Sequence, residues 1–298
     1  MRYKVQVFLV LSGLILIGYV AFILFKDTSD FSLEYQDRHQ RLITKVPDSV
    51  EFAGEKVHFK TIDSYQHFYR ELKLNTKNNS STRLLMRDAT IWLPQIEYII
   101  KKYKLPKDIQ YIAMAESRFQ NDESQKGAVG FWQFKVATAR EMKLRVDEEV
   151  DQRLDPILST HAACRFFRQN YKIFKSWTLV AAAYNRGTNG LLRDMKKQRA
   201  HSYYDLTLNL ETERYLYKVI SMKDLYENPR KYKLKRYSFK RPTYKYVTVD
   251  KSIPDVGVFA QQQGITKEEL KYMNPWLIGN SLTLQKPSEK YSIAIGVK

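Results

Sequence analysis

Cysteine is nearly absent: Cys164 is the only one in 298 residues, so no intrachain disulfide can hold the fold. It lies in His-Ala-Ala-Cys-Arg-Phe-Phe, which reads as a buried helix face. A Gly-x-Ser-x-Gly elbow and a His-Glu-x-x-His helix are both missing, and the five histidines are scattered. Serine-nucleophile and zinc-protease chemistry therefore have no support, and neither a metal nor a cofactor is expected. Acidic residues are scarce beside basic ones, 32 against 50, for a net charge of +18. That surplus implies anionic partners, whether nucleic acid, anionic lipid or an acidic polymer, and charge alone does not choose among them.

Charge is absent altogether from residues 7–25, an apolar run of 19 residues. At ~1.5 Å per residue it spans roughly 28 Å, about a bilayer core. Arg2 and Lys4 precede it, while Lys26 is soon followed by Asp27, Asp30 and Glu34. The positive-inside rule then keeps the N-terminus cytoplasmic and sends the body across. No Ala-x-Ala site follows, against a cleaved signal peptide, and no cysteine follows, against a lipoprotein anchor. Residues 1–25 are expected to be an uncleaved single-pass membrane anchor.

Residues 26–82 are polar and mixed and close on Asn-Thr-Lys-Asn-Asn-Ser-Ser-Thr, the composition of a linker. From about residue 83 the texture turns helical. Trp92, Ile96, Ile99, Ile100 and Tyr103 make one stripe, and further stripes cover 137–142, 157–171, 177–184 and 211–226. The fourth stops at Asn-Arg-Gly, where Gly187 suits a helix cap. The fold class expected is mainly α, one helical domain over 83–235.

Within that domain Pro106 opens a helix on which Ile109, Ile112, Ala113 and Glu116 share one face. A carboxylate on the core face costs several kcal/mol when ionised and unpaired, so its pKa rises and it holds a proton near neutral pH. Such a group is a general acid, or else a structural Glu paired with a buried Arg or capping a neighbouring helix. Next comes Gly-Ala-Val-Gly-Phe-Trp-Gln-Phe over residues 127–134. Gly127 and Gly130 permit tight backbone, and Gln133 offers a donor and an acceptor. Trp132 suits core packing and sugar contact equally. The aromatic content, 21 Tyr, 15 Phe and 4 Trp, also suits flat amphipathic ligands such as sugars, though ordinary cores use the same residues. Asp147, Glu148, Glu149 and Asp151 form an acidic run that reads as a solvated turn.

Four segments in order carry a resemblance. Glu116-Ser117, Gly130-Phe-Trp-Gln133, Ala183-Tyr184-Asn185 with Gly187, and Glu211-Thr-Glu-Arg-Tyr215 resemble the motifs of the soluble lytic transglycosylase domain family. Asp151-Gln-Arg-Leu-Asp155-Pro-Ile-Leu-Ser-Thr160 and Asn228-Pro-Arg-Lys-Tyr232 are similar to its membrane-bound lytic murein transglycosylase D branch. The resemblance covers roughly residues 84–234. It implies a lysozyme-like all-helical fold that cleaves the β-1,4 bond between N-acetylmuramic acid and N-acetylglucosamine in peptidoglycan. It also implies that Glu116 first protonates the glycosidic oxygen and then takes the proton of the muramic acid C6 hydroxyl, which attacks C1 and leaves a 1,6-anhydro end. Ser117, Gly130, Gln133, Tyr184, Asn185 and Tyr215 would bind substrate or hold the acid. Phe131 stands where the family often has a smaller aliphatic residue, so it is expected to narrow the cleft. The body would lie in the periplasm, or otherwise outside the cytoplasm, of a bacterium, tied to the inner membrane. Two rivals stay open: a lysozyme-type hydrolase on the same fold, and a non-catalytic wall-binding scaffold.

Between residues 230 and 245 lie eight basic residues and no acidic one, interleaved with Tyr232, Tyr237, Phe239 and Tyr244. In a cytoplasmic protein that pattern would suggest nucleic acid. The anchor argues against it, so no nucleic-acid partner is expected, and residues 236–243 are read as a solvated basic linker drawn to anionic lipid or wall polymer. Residues 244–298 read as strand, two helices and strand. Gly264-Ile-Thr-Lys-Glu-Glu-Leu-Lys-Tyr-Met-Asn-Pro275 resembles the second half of a LysM module, but no Gly-Asp-Thr opening precedes it. The tail either binds glycan or only packs on the helical domain.

Overall fold

In the computed structural model, residues 49–59, 62–76, 80–235, 239 and 243–297 are described. The apolar run at 7–25, the rest of the segment up to residue 48, and most of the basic linker lie outside them.

The described part begins with a hairpin of β1 (Ser49–Phe52) and β2 (Glu55–His58), paired Phe52 to Glu55 around Ala53-Gly54. Both turn residues have positive φ, 56° and 83°, the twist a two-residue hairpin needs. Helix α1 (Ile62–Thr76) follows and packs on α8 (Leu210–Glu227). Residues 49–76 are thus built into the helical domain, although their composition reads as linker. Their apolar anchors, Phe52, Val57, Phe68 and Leu72, are fully or nearly buried but too widely spaced to leave a periodic trace. Polar side chains complete the attachment. Asp108 accepts from the Ala53 amide (2.8 Å) and Lys223 Nζ (2.6 Å), and Glu55 accepts from the Thr178 amide (3.0 Å) at the start of α6 (Trp177–Arg186).

Helix α2 (Ser80–Lys102) continues through Pro94, which is exposed. It buries Leu85, Met86, Ala89, Leu93, Ile96, Ile99 and Ile100, whereas Trp92 and Tyr103 of the expected stripe are half-buried at its edge. At the centre lies α3 (Gln110–Ser117), whose first six side chains are all buried. The short α4 (Val136–Glu141) precedes α5 (Pro156–Phe174), which starts where Asp155 accepts from the amides of Ile157 and Leu158 and Pro156 takes the first turn. This cap is worth about 1 kcal/mol. Ser176 caps α6 and Asn209 caps α8 in the same way. Gly187 ends α6 at φ 81° and ψ 137°, and α7 (Thr188–Gln198) departs from it. That conformation lies outside the left-handed helical region expected of a cap, but only glycine takes it without strain. Cys164 is buried among these helices, with its thiol pushed up to about 12 by desolvation, so it is an inert packing residue.

The C-terminal module has the expected order: β3 (Tyr244–Val249), α9 (Val256–Gln262), α10 (Lys267–Met273) and β4 (Tyr291–Val297), the strands antiparallel with a bulge at Lys245/Tyr246. Its core of Val249, Ile253, Val256, Leu270, Trp276 and Ile293 also takes in Val150 from the helical domain. The acidic run at 147–151 is therefore a docking surface and not a solvated turn.

Candidate active site

Helix α3 ends on Glu116 and Ser117 because Arg118 and Phe119 turn left-handed, at φ 55° and 61°. Neither is glycine, so each costs of order 1–2 kcal/mol, strain of the kind that collects at functional sites. The turn leaves Glu116 half-buried at the helix end, where a cleft of about 310 Å³ meets a larger one of about 1030 Å³. Glu116, Ser124 and Gln133 line both.

Burial raises the pKa of Glu116 above the ordinary carboxylate range, and the nearby Glu211 adds to the rise. Two groups oppose it: the Tyr215 hydroxyl, which donates to Oε1 at 2.5 Å, and the Lys218 ammonium. Tyr215 and Tyr184 are both held well above the usual phenol range, first by burial and then by the Glu116 charge, so both remain neutral donors. Glu116 is thus poised between a proton held by burial and a carboxylate that one phenol can stabilise.

The Gly-rich segment follows as an irregular loop. Gly130 has φ 80°, and a Cβ there would lie 2.1 Å from the Arg153 carbonyl oxygen, so only glycine fits. Its role is this close packing; it does not line the cleft. Gln133, at φ 48°, donates from Nε2 to the carbonyls of Asp122 and Gly130, both at 3.0 Å. Those bonds fix the amide plane in the cleft wall, and among the described residues no donor reaches Oε1, which remains available to a ligand N–H or O–H. Ser117 donates to the Phe131 carbonyl at 2.9 Å and accepts from the Phe119 amide at 3.1 Å, tying the loop to the acid-bearing turn.

Tyr184 stacks on Phe167 with centroids 5.0 Å apart and donates to the Trp132 carbonyl at 2.6 Å. Asn185 accepts from Thr212 Oγ1 at 2.8 Å and faces Glu211, with Nδ2 3.4 Å from Oε1. Both line the larger cleft. Trp132 is core: fully buried, with Nε1 donating to Thr160 Oγ1 at 2.8 Å. Phe131 does not narrow the cleft. It is 3% exposed and packs edge-on against Trp92, 4.9 Å between centroids, outside both cleft linings.

The residues singled out in the sequence therefore divide by position. Glu116, Ser117, Gln133, Tyr184 and Asn185 line the clefts, Tyr215 backs Glu116, and Gly130 packs behind the wall. The sequence patterns assign no role to Lys218, Lys126, Arg118 or Asn75, nor to Glu211, although it opens the fourth motif. A signal existed for two of them, because Glu211, Tyr215 and Lys218 recur at i, i+4, i+7 along α8. Lys126 pairs with Glu211 at 2.9 Å, which lowers the Glu211 pKa and keeps that carboxylate ionised near Glu116. Arg118 binds the Asn75 side chain, so α1 forms part of the smaller cleft's wall.

Residues 95–207 match the transglycosylase SLT domain model, and residues 245–298 match the soluble lytic transglycosylase C-terminal LysM-like domain model. The chain is 29% identical over 199 residues to membrane-bound lytic murein transglycosylase D of Escherichia coli, an alignment covering 63% of this chain and 43% of that protein. It therefore spans less than half the length of that relative. Among solved structures, an inactive mutant of the lytic transglycosylase Slt of Pseudomonas aeruginosa aligns with TM-score 0.43 and 19% identity, over 57% of this chain and 29% of that one. The 70 kDa soluble lytic transglycosylase of Escherichia coli aligns with TM-score 0.41 and 17% identity, over 64% and 40%.

Proposed function

We propose that this chain, whose residues 95–207 are a transglycosylase SLT domain and residues 245–298 a LysM-like domain, is a lytic transglycosylase of peptidoglycan. One observation carries the reading: a half-buried carboxylate with a raised pKa stands where two clefts meet, the place a scissile bond occupies when sugars extend both ways. The relative's name, with murein as what it acts on, supports the same substrate class.

In the proposed reaction Glu116 gives its proton to the glycosidic oxygen as the bond from C1 of N-acetylmuramic acid breaks. The resulting carboxylate, stabilised by Tyr215, accepts the proton of the same sugar's C6 hydroxyl as that oxygen bonds to C1. The acid is regenerated, no water is consumed, and the product carries a 1,6-anhydro ring. Because the nucleophile belongs to the substrate, no second protein carboxylate is required, unlike the usual glycosidase pair. Gln133 and Asn185 present amides, and Tyr184 a ring edge, to the sugars on the larger side. The relative's name also supports membrane attachment, with residues 7–25 as the proposed anchor.

The rate should fall as pH rises through the raised pKa of Glu116, because only the protonated form can start the reaction. The alkaline limb of kcat/KM should therefore stand above the ~4.3 of an ordinary Glu. Tyr215→Phe removes a bond that favours the carboxylate, so it should move this limb to still higher pH. It should also slow turnover about tenfold, the worth of one hydrogen bond to a charged group. A limb that stayed in place would show that Tyr215 does not act on the titrating group. The function itself is tested on purified murein: turbidity should clear without new reducing ends, whereas reducing ends formed in step with clearing would mark a hydrolase.

A further inference from the structure

The turn at 147–151 has two faces. Toward the C-terminal module, the Glu149 carboxylate accepts from Ser281 Oγ (2.6 Å), the Thr283 amide (2.8 Å) and Thr283 Oγ1 (2.9 Å), and its carbonyl accepts from the amides of Ile278 and Gly279 (3.0 and 2.9 Å). Gly279 is packed so closely that a Cβ there would lie 2.6 Å from Glu149 Cα. Val150 enters the module core and pairs with Leu277, while the Asp151 amide donates to the Trp276 carbonyl at 2.8 Å. Arg145 reaches across to the Thr283 carbonyl (2.7 Å) and the Tyr291 hydroxyl (3.1 Å).

Toward the cleft, the buried Asp151 carboxylate holds Arg153 through Nε (2.9 Å) and Nη2 (2.7 Å). Arg153 Nη1 then donates to the Gly127 carbonyl (3.2 Å) and the Phe134 carbonyl (3.1 Å), the two ends of the Gly-rich loop. Gly130, between them, rests on the Arg153 backbone. That loop presents Gln133 and is tied by Phe131 to Ser117, beside Glu116. An unbroken series of direct contacts therefore leads from Trp276 and Leu277 in the module to the cleft wall.

We propose that the docked C-terminal module is a positioning element for the cleft, acting through Asp151 and Arg153 on the loop at 127–134, in addition to any hold it has on the wall. The proposal rests on the function argued above. A module that only captured wall polymer on a tether would need neither the close approach at Gly279 nor the carboxylate of Glu149.

The test uses the full chain carrying Glu149→Ala with Gly279→Ala, neither of which lines the cleft. Its substrate is short soluble murein glycan fragments, whose capture needs no wall-binding module. Loss of exchange protection at the amides of Ile278 and Asp151, both bonded across the interface to backbone carbonyls that the substitutions leave in place, reports undocking, and retained protection at Val219 and Ile220 in α8 reports an intact helical domain. With the module undocked, kcat/KM on the fragments should fall on the order of tenfold, as expected for a small misplacement of binding groups. The amides of residues 127–134 should exchange faster at the same time. Unchanged kcat/KM and unchanged loop exchange in the undocked protein would overturn the proposal. A wild-type protein that fails to cut the fragments would instead count against the enzymatic reading, and loop exchange would still decide the coupling.

Discussion

Glu116→Gln should lower the release of soluble muropeptides from purified murein by about three orders of magnitude, within the range ascribed to a positioned general acid. The substitution is nearly isosteric, and Gln keeps an oxygen to accept the Tyr215 hydroxyl, so the cleft is left in shape. What disappears is the transferable proton. The same change should raise thermal stability at neutral pH, for a reason that can be worked from the sign of the shift. The native pKa of Glu116 lies above its unfolded value, so between the two the folded chain binds more protons and stability falls as pH rises. A Gln at this position has nothing to ionise and escapes that loss. Residual activity within tenfold of wild type would remove Glu116 from the chemistry, and a drop in stability would show that its carboxylate is structural.

Arg153→Ala, behind the loop at 127–134, should lower stability by several kcal/mol. Arg153 and Asp151 form a buried ion pair at 2.7 Å, with side chains 8% and 9% exposed. Removing one partner of such a pair costs about 3–5 kcal/mol, because the other is left charged in a dry setting. At roughly 2–4 °C per kcal/mol for a domain of this size, Tm should drop by about 6–20 °C. Replacing both residues with leucine should recover much of that loss, since the penalty lies mostly in the unpaired charge. It should not recover activity, because the carbonyls of Gly127 and Phe134 still lack their donor. Calorimetry and murein turnover on the two variants separate these effects. Equal recovery of both would mean that Arg153 serves the fold alone.

Much of the helical domain is legible in the sequence because its signals are local. Ile109, Ile112 and Ala113 point into the core at helical spacing, and Glu116 follows them on the same face, so its setting is implied by the pattern alone. Caps at Asp155, Ser176 and Asn209 lie where polar residues precede apolar periods. What was not legible is carried by distant contacts. The hairpin and α1 look like linker until Glu55 is found capping α6 and Asp108 holding Ala53. The acidic run looks solvated until Ser281 and Thr283 arrive from more than 130 residues away and hold the Glu149 carboxyl down at about 2. Gly130 reads in the sequence as a substrate-binding residue, but its partner is the Arg153 backbone. Composition carries no trace of such pairings, because each is a single long-range contact without a period.

The central claim is that Glu116 accepts the proton of the sugar's own C6 hydroxyl as that oxygen bonds to C1, and that no water enters the product. Digesting purified murein with the full chain in oxygen-18-labelled water, followed by mass spectrometry of the released muropeptides, tests it most directly. The account predicts disaccharide products lighter by one water than hydrolytic ones and free of label at C1. Products of full mass with oxygen-18 at the new end would contradict it and assign the same cleft to a hydrolase.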